Sequence, residues 1–272
     1  MNPCLRMIPI AGIAIAAMMA VPEVTIAEAD PSAATKQEET TMERPSMVPT
    51  PVTRGEAKHL QPARTFQGIP GIAVSPRGRL FALWYSGGKT EGPENFVVIA
   101  ASDDRGEHWT DALYVIDPPH PEVRAYDAVP WLGPDGKIRV FFSQNRTAKD
   151  GEIFDGVAGV WMTELDNPDD PWKDWRWSLP RRIADGVMMN RPIVLGDGTW
   201  ALPVSVWNLT GLGNGAGAPP DAGAKMVVSE DGGKTFAVRG LATVPAQLAS
   251  FDEHTIAERR DGSLWMLIRG CR

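Results

Sequence analysis

Polar residues recur in this chain just ahead of segments that are otherwise built for burial. Charged groups at such points are not explained by packing alone. Carboxylates there can exchange protons, and an arginine can hold a carboxylate through two parallel hydrogen bonds. The residues concerned are Gln67, Arg124, Asp127, Asn190, Arg191, Glu253 and His254. Glu91 and Glu94 follow the second apolar segment and are expected at the same end of the fold.

A repeat of about sixty residues positions these groups. Four tight turns end on Gly78, Gly136, Gly198 and Gly262, which are 58, 62 and 64 residues apart. Apolar segments flank each turn and predict β-hairpins, with glycine supplying the positive φ of the turn. The segments before the turns are 69–74, 128–132, 191–195 and 255–258, and those after them are 80–85, 138–143, 200–207 and 264–269. Two hairpins in each period are typical of propeller blades.

A second kind of turn marks the outer hairpins. Residues 102–109 and 229–236 both read Ser-x-Asp-x-Gly-x-x-aromatic. In this pattern the aspartate accepts hydrogen bonds from the turn, the glycine takes the left-handed conformation and the aromatic ring packs between hairpins. The motif residues are Ser102, Asp104, Gly106 and Trp109 in one copy and Ser229, Asp231, Gly233 and Phe236 in the other. We interpret them as structural.

The two turns resemble the Asp-boxes of the sialidase and BNR-repeat superfamily. This resemblance covers 65–272 and implies an all-β fold, a six-bladed β-propeller of which about three and a half blades lie in this chain. It also implies a secreted, exo-acting glycoside hydrolase that removes a terminal sialic, otherwise acidic or polar sugar from glycans, by a retaining mechanism. Self-association through the open edge of the propeller is a further expectation.

The resemblance assigns roles to single residues. Residues 251–269 are similar to the sialidase segment in which a glutamate polarises a tyrosine nucleophile and an arginine binds the substrate carboxylate. By that similarity Glu253 is catalytic and Arg269 binds substrate. Glu91 or Glu94 stands in the region of the acid/base, and the remaining polar residues at the strand starts line the substrate site.

Two departures separate the chain from the sialidase pattern. The family's first arginine opens an Arg-Ile-Pro motif, whereas this chain has Gly68 at that position. The nucleophilic tyrosine and the third arginine are expected beyond Arg272. Two alternatives therefore stay open: a carbohydrate-binding propeller without turnover, and a polysaccharide lyase or unusual glycosidase in which His254 is the base.

The rest of the chain narrows the class of protein. Arg6, an uncharged run after it and an Ala-x-Ala site ending at Ala29 predict a signal peptide over 1–29 and a secreted or periplasmic location. Residues 30–64, rich in proline, threonine and glutamate, predict a disordered linker. A net charge of −7 argues against nucleic-acid binding. Four scattered histidines predict no metal site, and we expect no cofactor and no membrane span in the mature chain.

Overall fold

The computed structural model describes residues 6–8, 45–147, 158–207, 222–245 and 248–270. Within them the fold is all-β, with three short 3-10 helices at Pro45–Met47, Ala57–His59 and Trp172–Asp174. The strands are β1 (Arg6–Ile8), β2 (Val52–Arg54), β3 (Gln67–Val74), β4 (Leu80–Ser86), β5 (Phe96–Ser102), β6 (Tyr114–Ile116), β7 (Val123–Leu132), β8 (Ile138–Arg146), β9 (Gly159–Leu165), β10 (Arg181–Asp185), β11 (Ile193–Val194), β12 (Trp200–Val206), β13 (Gly223–Ser229), β14 (Ala237–Ala242), β15 (Ala249–Glu258) and β16 (Leu264–Gly270).

The strands form four antiparallel sheets that follow one another along the chain. The first sheet has the order β2-β6-β5-β4-β3, the second β10-β9-β8-β7, the third β11-β12-β13-β14 and the fourth β1-β16-β15. In each of the first three sheets the strands run outward in chain order from β3, β7 or β11, apart from the added strand β2. No sheet in the described part of the chain closes on itself.

The predicted hairpins are confirmed. The four predicted turns join β3 to β4, β7 to β8, β11 to β12 and β15 to β16, and each turn glycine has a positive φ, for example 95° at Gly78 and 79° at Gly136. These values lie in a region that side chains disfavour, which is why glycine closes the turns. The strands extend beyond the predicted segments mainly where polar residues continue the pairing, as in β7 and β8.

Both Asp-box turns show the expected hydrogen bonds. Asp104 accepts from the His108 backbone N–H at 2.9 Å, and Asp231 accepts from the Lys234 and Thr235 backbone N–H groups at 2.9 Å. Hydrogen bonds from the backbone and side chain of His108 lower the pKa of Asp104 to about 2. Bonds from Thr235 likewise lower the pKa of Asp231.

Apolar clusters join neighbouring sheets. Phe81 of the first sheet and Phe142 of the second are fully buried in one cluster. The next cluster contains Phe141 of the second sheet and Leu202 of the third. A further cluster brings Ile256 and other residues of the fourth sheet onto the third. Each sheet therefore buries both of its faces only when it has a neighbour on either side, as expected for repeated blades.

The prediction of a disordered linker over 30–64 is wrong for its second half. β2 pairs with β6 and becomes the outermost strand of the first sheet. Thr50 Oγ1 donates to Gln144 Oε1 at 2.7 Å, and His59 packs edge-on against Phe96. These polar and aromatic contacts with the first two sheets offset the entropy lost on ordering the segment. Residues 30–44 lie outside the described residues.

The predicted signal peptide falls mostly outside the described residues. Its short stretch Arg6–Ile8 is described, and it pairs with β16 as β1. No helix in the part of the chain that the structure covers is long and apolar enough to cross a membrane.

Candidate functional site

Bulges occur in the strands that precede three of the four turn glycines, at the end of each strand away from the turn. β3, β7 and β15 each carry a register shift of the bulge type. The bulges contain residues with positive φ, namely Ile69 (32°), Asp127 (50°), Phe251 (60°) and Asp252 (49°). Bulges re-aim side chains and are frequent beside active sites. Here they set Asp127 and Glu253 at matching places, each nine residues before its turn glycine.

Glu253 and Arg269 face each other across β15 and β16. Arg269 Nη1 donates to Glu253 Oε2 at 2.8 Å, and the guanidinium lies 5.2 Å from the centre of the Phe251 ring. The Glu253 side chain is 18% exposed and the Arg269 side chain 40%. The pair is thus reachable from solvent, and its orientation is held by a charged hydrogen bond together with a ring contact.

Asp127 lies buried among charged neighbours. Burial raises its pKa from the ordinary 3.8 to about 8; Arg124 opposes the shift, whereas Glu91 and Glu253 add to it. Its carboxyl group is therefore neutral at pH 7 and can donate a hydrogen bond. The charges of Glu91, on the loop after β4 of the first sheet, and of Glu253, on β15 of the fourth sheet, both act on this carboxyl group of the second sheet.

Glu91 is held by a tyrosine and an arginine. Tyr85 Oη donates to Glu91 Oε1 at 2.8 Å, and Arg124 Nη1 lies 3.7 Å from Glu91 Oε2. The Arg124 guanidinium is buried, 3.8 Å from the Tyr126 ring centre and 5.7 Å from that of Tyr85. Burial, Asp127 and the bond to Glu91 together raise the pKa of Tyr85 far above its ordinary 10.

Asn95 fixes the loop that carries Glu91. Its Nδ2 donates to Gly87 O and Thr90 O at 3.0 and 3.1 Å, and its Oδ1 accepts from the Gly92 backbone N–H at 2.8 Å. Its backbone carbonyl accepts from the Ala125 N–H on β7. One buried amide therefore anchors the loop to the strand that carries Arg124 and Asp127.

Tyr85 also explains the glycine in place of the sialidase arginine. Gly68 pairs with Tyr85 in the register of β3 and β4. A Cβ at position 68 would lie 2.4 Å from Tyr85 Cζ. The tyrosine ring therefore fills the space that any side chain at position 68 requires. Sequence reasoning did not select Tyr85, although it shares the inward face of β4 with Phe81 and Leu83.

Three further predicted residues are exposed to solvent, outside the contacts between Glu91, Arg124 and Asp127 described above. Glu94 is exposed, and its side chain lies against Gly88. Gln67 is exposed, and its Oε1 accepts from Trp84 Nε1 and Ser86 Oγ. Arg191 is exposed at the start of the third sheet.

His254 and Asn190 connect the third and fourth sheets. Asn190 Nδ2 donates to His254 O at 2.8 Å. The buried His254 ring has Nε2 2.8 Å from Lys225 O and Nδ1 3.1 Å from Ser205 Oγ. Burial lowers its pKa, against opposing backbone contacts with Lys225 and Asp252. Both ring nitrogens face groups of the protein, which favours a structural role for this histidine.

Potential metal ligands come together away from this cluster. In the described part of the chain, one group of three has ligand atoms within 4.8 Å of one another: Asp104, Glu107 and His108, all exposed. It lies on the Asp-box turn between β5 and β6, at the opposite end of β5 from the Glu91 loop. The hydrogen bonds of that turn account for its geometry.

Comparison with known proteins places the chain in a family. Residues 78–271 match the model of the BNR repeat-like domain. The chain belongs to the BNR repeat-like family. The match spans the predicted catalytic residues Glu91 and Glu253 and both Asp-boxes. No curated protein sequence shows a significant match.

Solved structures with similar folds include sialidases. The Hadza microbial sialidase Hz136 has a TM-score of 0.55 and 16% identity, over 74% of this chain and 42% of that one. A variant of NanB sialidase from Streptococcus pneumoniae has a TM-score of 0.55 and 10% identity, over 82% and 50%. A protein of unknown function from Dyadobacter fermentans has a TM-score of 0.58 and 15% identity, over 82% and 67%. The chain thus shares the sialidase fold and spans about half the length of these sialidases.

Proposed function

We propose that this protein is a secreted, exo-acting glycoside hydrolase of the sialidase superfamily that removes a terminal sugar from glycans. The observation that carries the proposal is the cluster of Glu91, Asp127 and Glu253 with Arg124 and Arg269. These residues come from three different sheets and meet at one end of the fold. Most glycoside hydrolases use two carboxyl groups that flank the scissile bond, whereas sialidases replace the nucleophilic carboxylate by a tyrosine.

Each carboxyl group has a separate role in this proposal. Glu91, the most exposed carboxylate of the cluster at 41%, gives a proton to the oxygen of the leaving group and then takes one from the water that releases the sugar from the nucleophile. The neutral carboxyl group of Asp127 donates a hydrogen bond to the sugar. Glu253, oriented by Arg269, polarises the nucleophile, which by resemblance to sialidases is a tyrosine in a further blade of a six-bladed ring.

Three glutamine variants test these roles. Glu253→Gln and Glu91→Gln should each lower kcat by about 10²- to 10⁴-fold, the range for loss of acid–base catalysis. Glu107→Gln is the matched control, because that exposed carboxylate lies on the turn after β5, at the opposite end of the strand from the Glu91 loop. The Glu91→Gln defect should shrink with 2,4-dinitrophenyl glycosides, whose leaving group needs no proton. An undiminished defect with that substrate would contradict the role of Glu91.

A carbohydrate-binding propeller without turnover is the second candidate function. The observation that favours it is the Tyr85 ring over Gly68, which leaves no room for a substrate-binding arginine at that position. On this alternative, wild type and Glu253→Gln would bind glycans equally and hydrolyse none. The engaged ring nitrogens of His254 give no support to the lyase alternative.

Export from the cell is also a proposal. It is supported by the layout of 1–29, a basic start, an uncharged run and an Ala-x-Ala site. N-terminal sequencing of the secreted protein should begin at Asp30. A protein that retains Met1 in the cytoplasm would contradict it.

A further inference from the structure

A second binding surface begins at the candidate active site. A groove of about 1150 Å³ lies between the loop that carries Glu91 and the segment 117–122. Glu91 lines it, whereas Asp127, Glu253 and Arg269 do not. Glu91 is therefore the point at which the catalytic cluster meets the groove, and the groove extends away from the other carboxyl groups.

This position identifies what the groove would hold. The residue that protonates the glycosidic oxygen stands on the side of the leaving group. If Glu91 has that role, as proposed above, the leaving group must extend from Glu91 away from Asp127 and Glu253. The groove occupies that direction. Its volume exceeds the range of about 300–1,000 Å³ typical of small-molecule pockets, so it has room for more than one sugar unit.

The floor of the groove is rigidly built. His59 is buried there, and its Nδ1 accepts from the Glu56 backbone N–H at 2.9 Å. Its Nε2 therefore carries the proton and donates to Asp117 Oδ2 at 3.0 Å. Lys58 Nζ donates to the same oxygen at 2.6 Å. A floor fixed in this way can bind a ligand without a large ordering cost.

The groove lining indicates the chemistry of the ligand. Its acidic side chains, Glu56, Glu91, Glu94, Asp117 and Glu122, outnumber its lysines, Lys58 and Lys89. An excess of carboxylates repels polyanionic glycans, while the carboxylates and the exposed His120 can hydrogen-bond to sugar hydroxyls. Proline rings at Pro93, Pro119 and Pro121 add exposed apolar surface for the C–H faces of sugars.

We propose that this groove binds the leaving-group side of the substrate, a neutral oligosaccharide of two or more sugar units attached to the terminal sugar. The proposal rests on the proposed function, and it states that the protein acts at the end of longer glycan chains. It predicts that small conjugates of the same terminal sugar are the poorer binders.

Gly92 offers a way to fill the groove without straining the fold. A Cβ at this position meets no atom within 4 Å, and Gly92 lines the groove. Gly240 on the outer strand β14 is a matched control, because a Cβ there makes only an ordinary contact, 3.9 Å from Met226. Gly92→Trp and Gly240→Trp therefore add the same side chain inside and outside the groove.

The assay compares two substrates with the same terminal sugar. A panel of 4-nitrophenyl glycosides first identifies a sugar that wild type releases, and neutral oligosaccharides ending in that sugar are then measured. Wild type should have a KM for the oligosaccharide about tenfold below that for the aryl glycoside, and Gly92→Trp should remove this advantage. Gly240→Trp should keep it.

The outcomes separate this inference from the proposed function. Hydrolysis with equal KM values for both substrates, or an oligosaccharide advantage that Gly92→Trp leaves intact, would overturn the groove assignment and leave the hydrolase proposal standing. A preference for uronate-rich oligosaccharides over neutral ones would also overturn it. Release of sugar from neither substrate class would overturn the hydrolase proposal and the groove assignment together.

Discussion

Asp127→Asn should make the protein more stable at neutral pH. The carboxyl group has a pKa of about 8 in the fold and 3.8 as the ordinary value. Below pH 3.8 both the folded and the unfolded state hold the proton, so the group has no net effect. Between pH 3.8 and 8 only the unfolded state ionises, and folding loses about 1.4 kcal/mol per pH unit. At pH 7 the accumulated loss is about 4 kcal/mol.

Asparagine has nearly the shape of a neutral aspartic acid and does not titrate, so it removes this loss. Urea unfolding of both proteins at pH 5 and pH 7 provides the test. The difference in free energy of unfolding, variant minus wild type, should grow by about 3 kcal/mol between these two pH values. A difference that is the same at both would show that Asp127 is ionised in the folded protein, and the neutral carboxyl group would have to be abandoned.

Asp197→Asn is a matched control for the same experiment. Hydrogen bonds from Thr199 lower the pKa of Asp197 below 3.8. Between pH 5 and 7 this carboxylate is therefore ionised in the folded and the unfolded state alike. Its variant should differ from wild type by the same amount at both pH values, since its contribution is lost only as the pH falls below 3.8.

Three further predictions follow from single contacts. Gly68→Ala forces the Tyr85 ring to move and should lower the free energy of unfolding in urea by about 1–3 kcal/mol. In a protein that already carries Tyr85→Leu the same substitution should cost less, and an equal cost would refute the clash with the ring. Tyr85→Phe removes a hydrogen bond that favours the ionised form of Glu91, the proposed general acid, and should shift the alkaline limb of the pH–rate profile to higher pH, with kcat reduced more than KM is raised; an unshifted alkaline limb would argue against this positioning role. Asp231→Ala leaves N–H groups of its turn unpaired and should lower the thermal midpoint at pH 7, and the gap from wild type should narrow as the pH falls below 3.8, because the pKa of Asp231 is lowered; a gap independent of pH would contradict the role of the ionised carboxylate.

The regular part of the fold was predictable because its signals are local. Turn glycines with positive φ and alternating apolar segments specify hairpins, and the Asp-box turns are stabilised by bonds within eight residues. The sequence did not predict that the second half of 30–64 is folded. This segment is stabilised by partners that lie far away in the sequence, as the contacts of β2, Thr50 and His59 show. The composition of a segment indicates how much apolar surface it can bury, but it does not indicate which distant residues the segment will contact.

The candidate site was predictable in its parts but not in its arrangement. The count back from each turn glycine finds Asp127 and Glu253, since the bulges lie at a constant distance from the turns. The choice of Glu91 over Glu94 depends on Arg124 and Tyr85, which approach from neighbouring strands. The tyrosine that fills the space at Gly68 is recognised only through the pairing of β3 with β4.

The most direct test of the central claim is sugar release by the purified full-length protein. Wild type and Glu253→Gln would be incubated with a panel of 4-nitrophenyl and 4-methylumbelliferyl glycosides, sialosides included, and with glycans in which released monosaccharide is measured. The account predicts release of one terminal sugar by wild type, and a loss of at least about 100-fold in Glu253→Gln. Equal release by both proteins, or release by neither, would contradict it.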